Sequence, residues 1–436
     1  MTDQSSANQI LIETQKSHAK GNFEAAEKGY LELLQFAPGH PDVTHLLGVL
    51  YGQAGHLEDS ERLIREAIEI APDDADKFYN LGNILIKLKC EKDAVTAFGK
   101  AVEMAPENAG MIFNLALSQT QTGDHEQAER SFRRVIALDD THANAMAELS
   151  ALLGQRGVLE EANSLQQQAI DLQPDVPNFQ FNLGLLLLRR EQWEPAIKCF
   201  NQTLVLQQWH VPALAAKAVA LYEIGEDQES QKLVNIQNGL EITELSLPDD
   251  VDVGVLADKL ANHNSCVWDR SDITTRDGAQ TTNLIQDEDP DISALISALT
   301  RAVKFTIDEK QPNANNPFLA RIPEEWDYSI WATILNKEGH QLPHLHPAAW
   351  LSGVFYLEVP LAVIEDENED QQGWIEFGTP GYGIDPVRPH IVRRIRPEPG
   401  KLVLFPSHYF HCTLPLSGEM RRISIAFDVI PTKWRK

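Results

Sequence analysis

A step of 34 residues constrains this chain more than any other feature. Pro38, Pro72, Pro106 and Pro174 lie on one ruler, with steps of 34, 34 and twice 34, and Asp140 fills the missing rung. Small residues keep the same spacing at Ala26, Ser60, Ala94, Ala128, Ala162, Ala196 and Ser230. So do Gly21, Gly55, Gly123, Gly157 and Gly225, with Lys89 and Glu191 at the two rungs between. Leu47 with Gly48, Leu81 with Gly82 and Leu183 with Gly184 mark a further fixed position, which Leu115 with Ala116 and Leu149 with Ser150 fill with close substitutes. The physical reading is a repeated helix pair. Small residues let two antiparallel helices approach, glycine turns the chain between them, and proline starts the connection to the next pair.

Over residues 7–240 this pattern resembles the tetratricopeptide repeats, which implies a curved all-α solenoid of six to seven helix pairs whose concave face binds a protein or peptide. The residue before the Leu-Gly position is Asn80, Asn114 and Asn182 in three repeats, with Leu46 and Glu148 in two others. An asparagine amide donates and accepts at once, so a column of them can pair with successive peptide groups of an extended chain. The column resembles the asparagine ladder of the O-linked N-acetylglucosamine transferase superhelix. The three asparagines are therefore candidate peptide-binding residues, the alternative being plain solvated positions.

At 436 residues two or three domains are expected. A net charge of −27 argues against nucleic acid, whose phosphates would be repelled, and favours basic or neutral partners. The four cysteines are far apart with no Cys-x-x-Cys pair, so neither a disulfide framework nor a cysteine zinc site is indicated, and a reducing cytoplasm fits. The start of the chain lacks a basic region followed by an apolar run, and no apolar stretch approaches membrane-spanning length, so no export and no membrane are expected.

Beyond residue 240 the period stops. Residues 241–327 read as a helical prelude to the last domain, with helices at 251–263 and 291–308 around a polar segment in which 278–281 reads as a turn. Gln280 and Thr281 of that segment are also candidate substrate contacts. Residues 328–432 change to short β-rich runs, at 328–335, 342–346, 350–359, 373–377, 391–396, 401–405, 409–414 and 422–430. Eight strands divided by Gly/Pro turns predict a double-stranded β-helix, or jelly roll, with flanking helices. The acidic run 365–370 reads as a solvated loop.

That last domain concentrates the chemistry. A strand projects residues i and i+2 to one face, so His344 and His346 can reach one metal ion, with His411 arriving from a distant strand and the opposite positions left open for substrates. Arg422 and Ser424, again i and i+2, offer a fork of donors and a hydroxyl to a carboxylate. Tyr356 is a candidate donor to the same cosubstrate, its alternative being core packing. His340 and His390 read as loop histidines and His408 as an exposed one, Arg421 should face solvent or a surface partner, and Glu376 is a reserve carboxylate ligand.

Five runs carry a second resemblance: 341–347 (QLPHLHP), 350–357 (WLSGVFYL), 373–377 (GWIEF), 399–406 (PGKLVLFP) and 422–427 (RISIAF). They resemble the 2-oxoglutarate/Fe(II) oxygenases that bacteria often fuse to tetratricopeptide repeats, within the prolyl/aspartyl hydroxylase-like superfamily. The resemblance implies Fe(II) and 2-oxoglutarate, with ascorbate as an auxiliary. It makes His344 the first ligand, His411 the distal ligand and Arg422, with Ser424, the carboxylate anchor. Most relatives carry Asp or Glu where this chain has His346. The aspartyl/asparaginyl hydroxylases manage with two histidines there, so His346 is either a third ligand or a neighbour of the metal. The implied activity is hydroxylation of a protein that the repeats recruit. A metallo-cupin enzyme that needs no keto acid, and an inactive repeat adaptor, are the alternatives.

Overall fold

The turn inside each helix pair explains the glycine rung. Gly21, Gly55, Gly123, Gly157 and Gly225 all have positive φ, and Lys89 (φ 62°) and Glu191 (φ 56°) hold the same left-handed conformation at the remaining rungs. A side chain in that conformation costs roughly 1–2 kcal/mol, which glycine avoids. The computed structural model describes residues 2–269, 274–365, 369–418 and 420–435, so residues 366–368 of the acidic run lie outside the described residues. It divides into two compact units, Met1–Pro174 and Asp175–Lys436.

In the first unit ten helices, from Thr2–Ala19 to Leu159–Leu172, form five pairs of a helical solenoid. The small-residue rung is where paired helices touch. Ala26, Ala94, Ala128 and Ala162 are wholly buried, and Ser60 donates its hydroxyl to the Gly48 carbonyl at 2.6 Å. A Cβ on Gly82 would lie 2.6 Å from the Phe98 ring, so the Leu-Gly position needs its glycine for close approach.

The second unit holds two further pairs, Pro177–Leu188 with Trp193–Leu206 and Val211–Glu223 with Asp227–Leu233, followed by a ten-stranded sheet. Its strands are β1 (Glu241–Glu244), β2 (Val267–Trp268), β3 (Thr275–Gln280), β4 (Pro323–His344), β5 (Leu351–Glu358), β6 (Ile375–Phe377), β7 (Arg393–Ile395), β8 (Lys401–Pro406), β9 (His411–Thr413) and β10 (Arg421–Trp434). The order is β1-β8-β5-β10-β4-β9-β6-β7, with β3 also on β4 and β2 on β3. All pairings are antiparallel, and the curled sheet is of the jelly-roll type. Among the described residues no helix is long and apolar enough to cross a membrane.

Three features differ from the sequence reading. The sheet has ten strands and not the eight expected, because β1, β2 and β3 fall in the segment read as a helical prelude. One strand, β4, replaces the separate runs 328–335 and 342–346. Residues 278–280 are not a turn but part of β3, with Gly278, Ala279 and Gln280 opposite Leu335, Ile334 and Thr333. The free edge of so long a strand needs hydrogen-bond partners, and this polar segment supplies them.

Alternation on β4 and β10 separates core from site. Ile423, Ile425, Phe427 and Val429, with Ile330, Ala332 and Ile334, pack under the helix Pro290–Glu309 through its Leu295, Leu299 and Val303. That helix starts at Asp289, whose carboxylate accepts from the backbone N–H groups of Asp291 and Ile292, with Pro290 at its first position. The intervening residues Arg422, Ser424, Ala426, Trp331 and Thr333 line a cavity on the opposite face.

Candidate metal centre

His344 and His411 face each other across the β4–β9 ladder, with ring centroids 4.2 Å apart. His346 lies two residues past the end of β4, and its backbone N–H donates to the Ser407 carbonyl at 3.2 Å. Its ring sits 5.3 Å from that of His344 and stacks 5.1 Å from that of His411. Residues between the histidines hold them in place: Leu345 and Phe410 are buried together with Phe181, Phe200 and Ile384.

One ligand nitrogen from each ring lies within 4.8 Å of the others, close enough to share an ion. The proton positions follow from the outer partners. Nδ1 of His344 is 2.7 Å from the Leu342 carbonyl, Nδ1 of His411 is 3.1 Å from the Tyr409 carbonyl, and Nδ1 of His346 is 3.0 Å from Asp428 Oδ2. These partners only accept, so each Nδ1 carries a proton, which leaves Nε2 as the atom that can ligate a metal. Nε2 of His346 and Nε2 of His411 are 3.3 Å apart, close enough for one cation to take both as ligands. Burial, assisted by the neighbouring His346, holds His344 down to about 4. Burial likewise holds His411 well below the usual histidine range, so both present neutral rings at pH 7. Three imidazoles converging in one cavity fit a divalent transition metal.

The same cavity, about 230 Å³, is also lined by Arg422 and Ser424. Arg422 is 2% exposed, and its Nε and Nη1 have no hydrogen-bond partner. Its guanidinium lies 4.9 Å from the centre of the Tyr356 ring. Tyr356 is itself buried against Arg422 and is not among the residues lining the cavity. A buried cation without a counter-charge marks a place for an anion.

Residues 329–428 match the family described as "Putative 2OG-Fe(II) oxygenase". Residues 42–74 and 92–143 match tetratricopeptide repeat families. The chain thus joins tetratricopeptide repeats to a domain of the 2OG-Fe(II) oxygenase type. No curated protein matches the sequence. Solved structures resemble the repeats. YrrB, described as a TPR protein with an unusual peptide-binding site, is 21% identical over 43% of this chain and 97% of its own, with a TM-score of 0.40. A tetratricopeptide repeat protein from Parabacteroides merdae is 14% identical over 52% and 90%, with a TM-score of 0.44. MamA from Desulfovibrio magneticus RS-1 is 20% identical over 38% and 95%, with a TM-score of 0.37.

In the oxygenase domain several residues differ from their sequence reading. Glu376 is bonded to Arg394 and Thr379 and stays away from the histidines. Its ladder partner on β9 is Cys412, the neighbour of His411, and neighbours on a strand face opposite ways. Arg421 does leave the cavity face, but pairs with Glu358 and Asp258 instead of an outside partner. His340 lies within β4. Sequence reasoning missed Asp428, Trp331, Thr333 and Gln341. The last three line the oxygenase cavity, as does Gln280 from β3. The even spacing of 422, 424, 426 and 428 would have pointed to Asp428. His408 is wholly buried, not exposed. Its Nε2–H donates to the Leu233 carbonyl at 2.8 Å, and it packs edge-on against Trp209.

The burial of His408 has a pH consequence. Burial holds it near about 4, below its ordinary 6.5. The unfolded chain therefore binds this proton more readily, so its contribution is present above pH 6.5 and lost as pH falls through 4. About 3 kcal/mol is at stake for such a shift. Urea unfolding of the wild type should weaken steeply between pH 6.5 and 4, and His408→Gln, which keeps an N–H donor but does not titrate, should lose less over that window. Equal slopes would remove His408 from this account.

In the repeats, Asn80 places its Nδ2 3.0 Å from His45 Nε2, and Asn114 donates to the Tyr79 hydroxyl at 2.6 Å. Both line a groove of about 480 Å³ that also carries Gln53, Asn83, Lys87 and Gln121. Asn182, in the second unit, lines a separate depression with Asn178 and His210.

Proposed function

We propose that this chain is a 2-oxoglutarate- and Fe(II)-dependent oxygenase that hydroxylates protein substrates recruited by its repeats. The observation that carries the reading is Arg422, a buried cation with unpartnered Nε and Nη1 in the same cavity as three convergent histidines. Leaving such a charge without a partner costs several kcal/mol, and the far carboxylate of a keto diacid, received by Arg422 and Ser424, offsets that cost. A metallo-cupin that uses no keto acid leaves this pair without a role.

His344, His346 and His411 would hold the metal. Bound there with 2-oxoglutarate, Fe(II) would couple oxidative decarboxylation, giving succinate and carbon dioxide, to hydroxylation of the substrate by O₂, with ascorbate as the auxiliary reductant. The chain supplies position and shelter. The acceptors on each Nδ1 hold the three rings in their ligand orientation, Tyr356 supports the Arg422 plane from behind, and Phe405, Val354 and Ile375 keep water from the cavity wall. Asn80, Asn114 and Asn182 are the proposed contacts to the backbone of the recruited polypeptide. The net charge of −27 favours a basic or neutral one, in the cytoplasm.

One assay tests both parts. Succinate should form only with Fe(II) present, and proteins captured by the full chain should stimulate it and gain one oxygen by mass spectrometry. Changing Asn80, Asn114 and Asn182 together to Ala should abolish the stimulation and leave basal turnover intact. Stimulation that survives the triple change removes the asparagines from the reading, and no iron-dependent succinate removes the activity.

A further inference from the structure

We propose that Asp428 is a positioning residue that supplies, through His346, the negative charge that the histidine triad itself lacks. The inference rests on the metal-centre reading above. Asp428 Oδ2 accepts from His346 Nδ1 at 3.0 Å, and Oδ1 accepts from the Ser352 hydroxyl at 2.7 Å. Ser352 lies opposite Asp428 in the β5–β10 register and is hydrogen-bonded to the Ser407 hydroxyl at 2.8 Å. Both serines are buried. Ser407 also accepts, through its carbonyl, from the backbone N–H of His346. One network thus fixes His346 at its backbone and at its ring.

Two effects follow. The ring cannot turn its Nε2 away from the other two histidines without breaking the bond to Asp428. The carboxylate also makes the imidazole a stronger donor and offsets one unit of charge on a divalent ion held by three neutral rings. Side-chain exposures of 13% for His346 and 14% for Asp428 leave little water to screen that interaction. Among the described residues Asp428 is the acid hydrogen-bonded to the triad, since Glu376 is engaged by Arg394.

The probe is cobalt(II) with the full-length chain, its dissociation constant read by equilibrium dialysis and its coordination by the visible d–d spectrum. Asp428→Asn keeps the shape and an oxygen acceptor but removes the charge. It should weaken cobalt binding about 10–100-fold and shift the d–d bands, with the far-UV spectrum of the fold unchanged. On a His346→Ala background the same change should add less than about twofold, because the route through His346 is gone. Equal affinity for Asp428→Asn and wild type, or a full additional loss in the double variant, overturns the proposal. If Asp428→Asn does not fold, Ser352→Ala carries the test. It loosens the carboxylate without removing it, so a loss of about 2–5-fold supports the role and unchanged affinity overturns it. Wild-type protein that binds no cobalt is a different result, and overturns the metal centre itself.

Discussion

Arg422→Met should cut 2-oxoglutarate turnover by at least about 30-fold while making the ligand-free domain more stable. The first effect follows from removing one member of a buried, charge-assisted pair, which costs about 2–5 kcal/mol, and every 1.4 kcal/mol is tenfold. The second follows from what Arg422 lacks without its ligand: it is 2% exposed, with Nε and Nη1 unpartnered. Burial depresses its pKa, a sign that the charged form is held at a cost. Methionine fills most of the same volume without that cost, and replacing buried charge by packed apolar groups gains about 1–4 kcal/mol in comparable cases. Urea unfolding without ligand reads the gain, and succinate formation against 2-oxoglutarate concentration reads the loss. 2-Oxoglutarate should also raise the melting temperature of the wild type and not of the variant, by mass action. Unchanged kinetics in Arg422→Met would place the cosubstrate elsewhere.

His411→Ala should lose both metal and turnover. His411 is the ring common to the tightest approaches in the site, 4.2 Å from His344 between centroids and 3.3 Å from His346 between nitrogens. Changing a group that merely orients a ligand weakens metal binding about 10–100-fold, so removing the ligand should exceed about 100-fold. The control is Glu376→Gln. That carboxylate is tied to Arg394 at 2.7 Å on the far side of β9, so its removal should leave metal affinity within about twofold. Cobalt(II) binding and iron-dependent succinate formation read both variants. A His411→Ala protein that keeps wild-type turnover would sink the assignment, and a Glu376→Gln protein that loses metal would make the acid a ligand after all.

The candidate site was partly legible because strand alternation is a local rule. His344, His411, Arg422 and Ser424 could be picked out by residue type and spacing, and the structure brings them to one cavity with His346. Asp428 was not found, although it lies on the same alternation as Arg422, because its partner is 82 residues earlier in the chain. His408 was misread for a related reason: three residues from His411 and two after Pro406, it looks like a turn residue, yet Trp209, in the turn between the last two helix pairs, and Leu233, at the end of the last one, cover it. The polar stretch before Thr281 carries no strand signal of its own, and pairs because β4 offers it an edge.

The 34-residue step, by itself, determined the helix pairs and the left-handed turn between them, because each depends on interactions within one repeat or its neighbour. Residue type and spacing likewise picked out the three histidines, Arg422 and Ser424 that line one cavity. Tertiary structure alone decided which acid holds His346, which guanidinium is left unpaired and which histidine is sealed from water. Those outcomes depend on strand register and on packing between distant segments, where a shift of one residue turns every side chain to the other face.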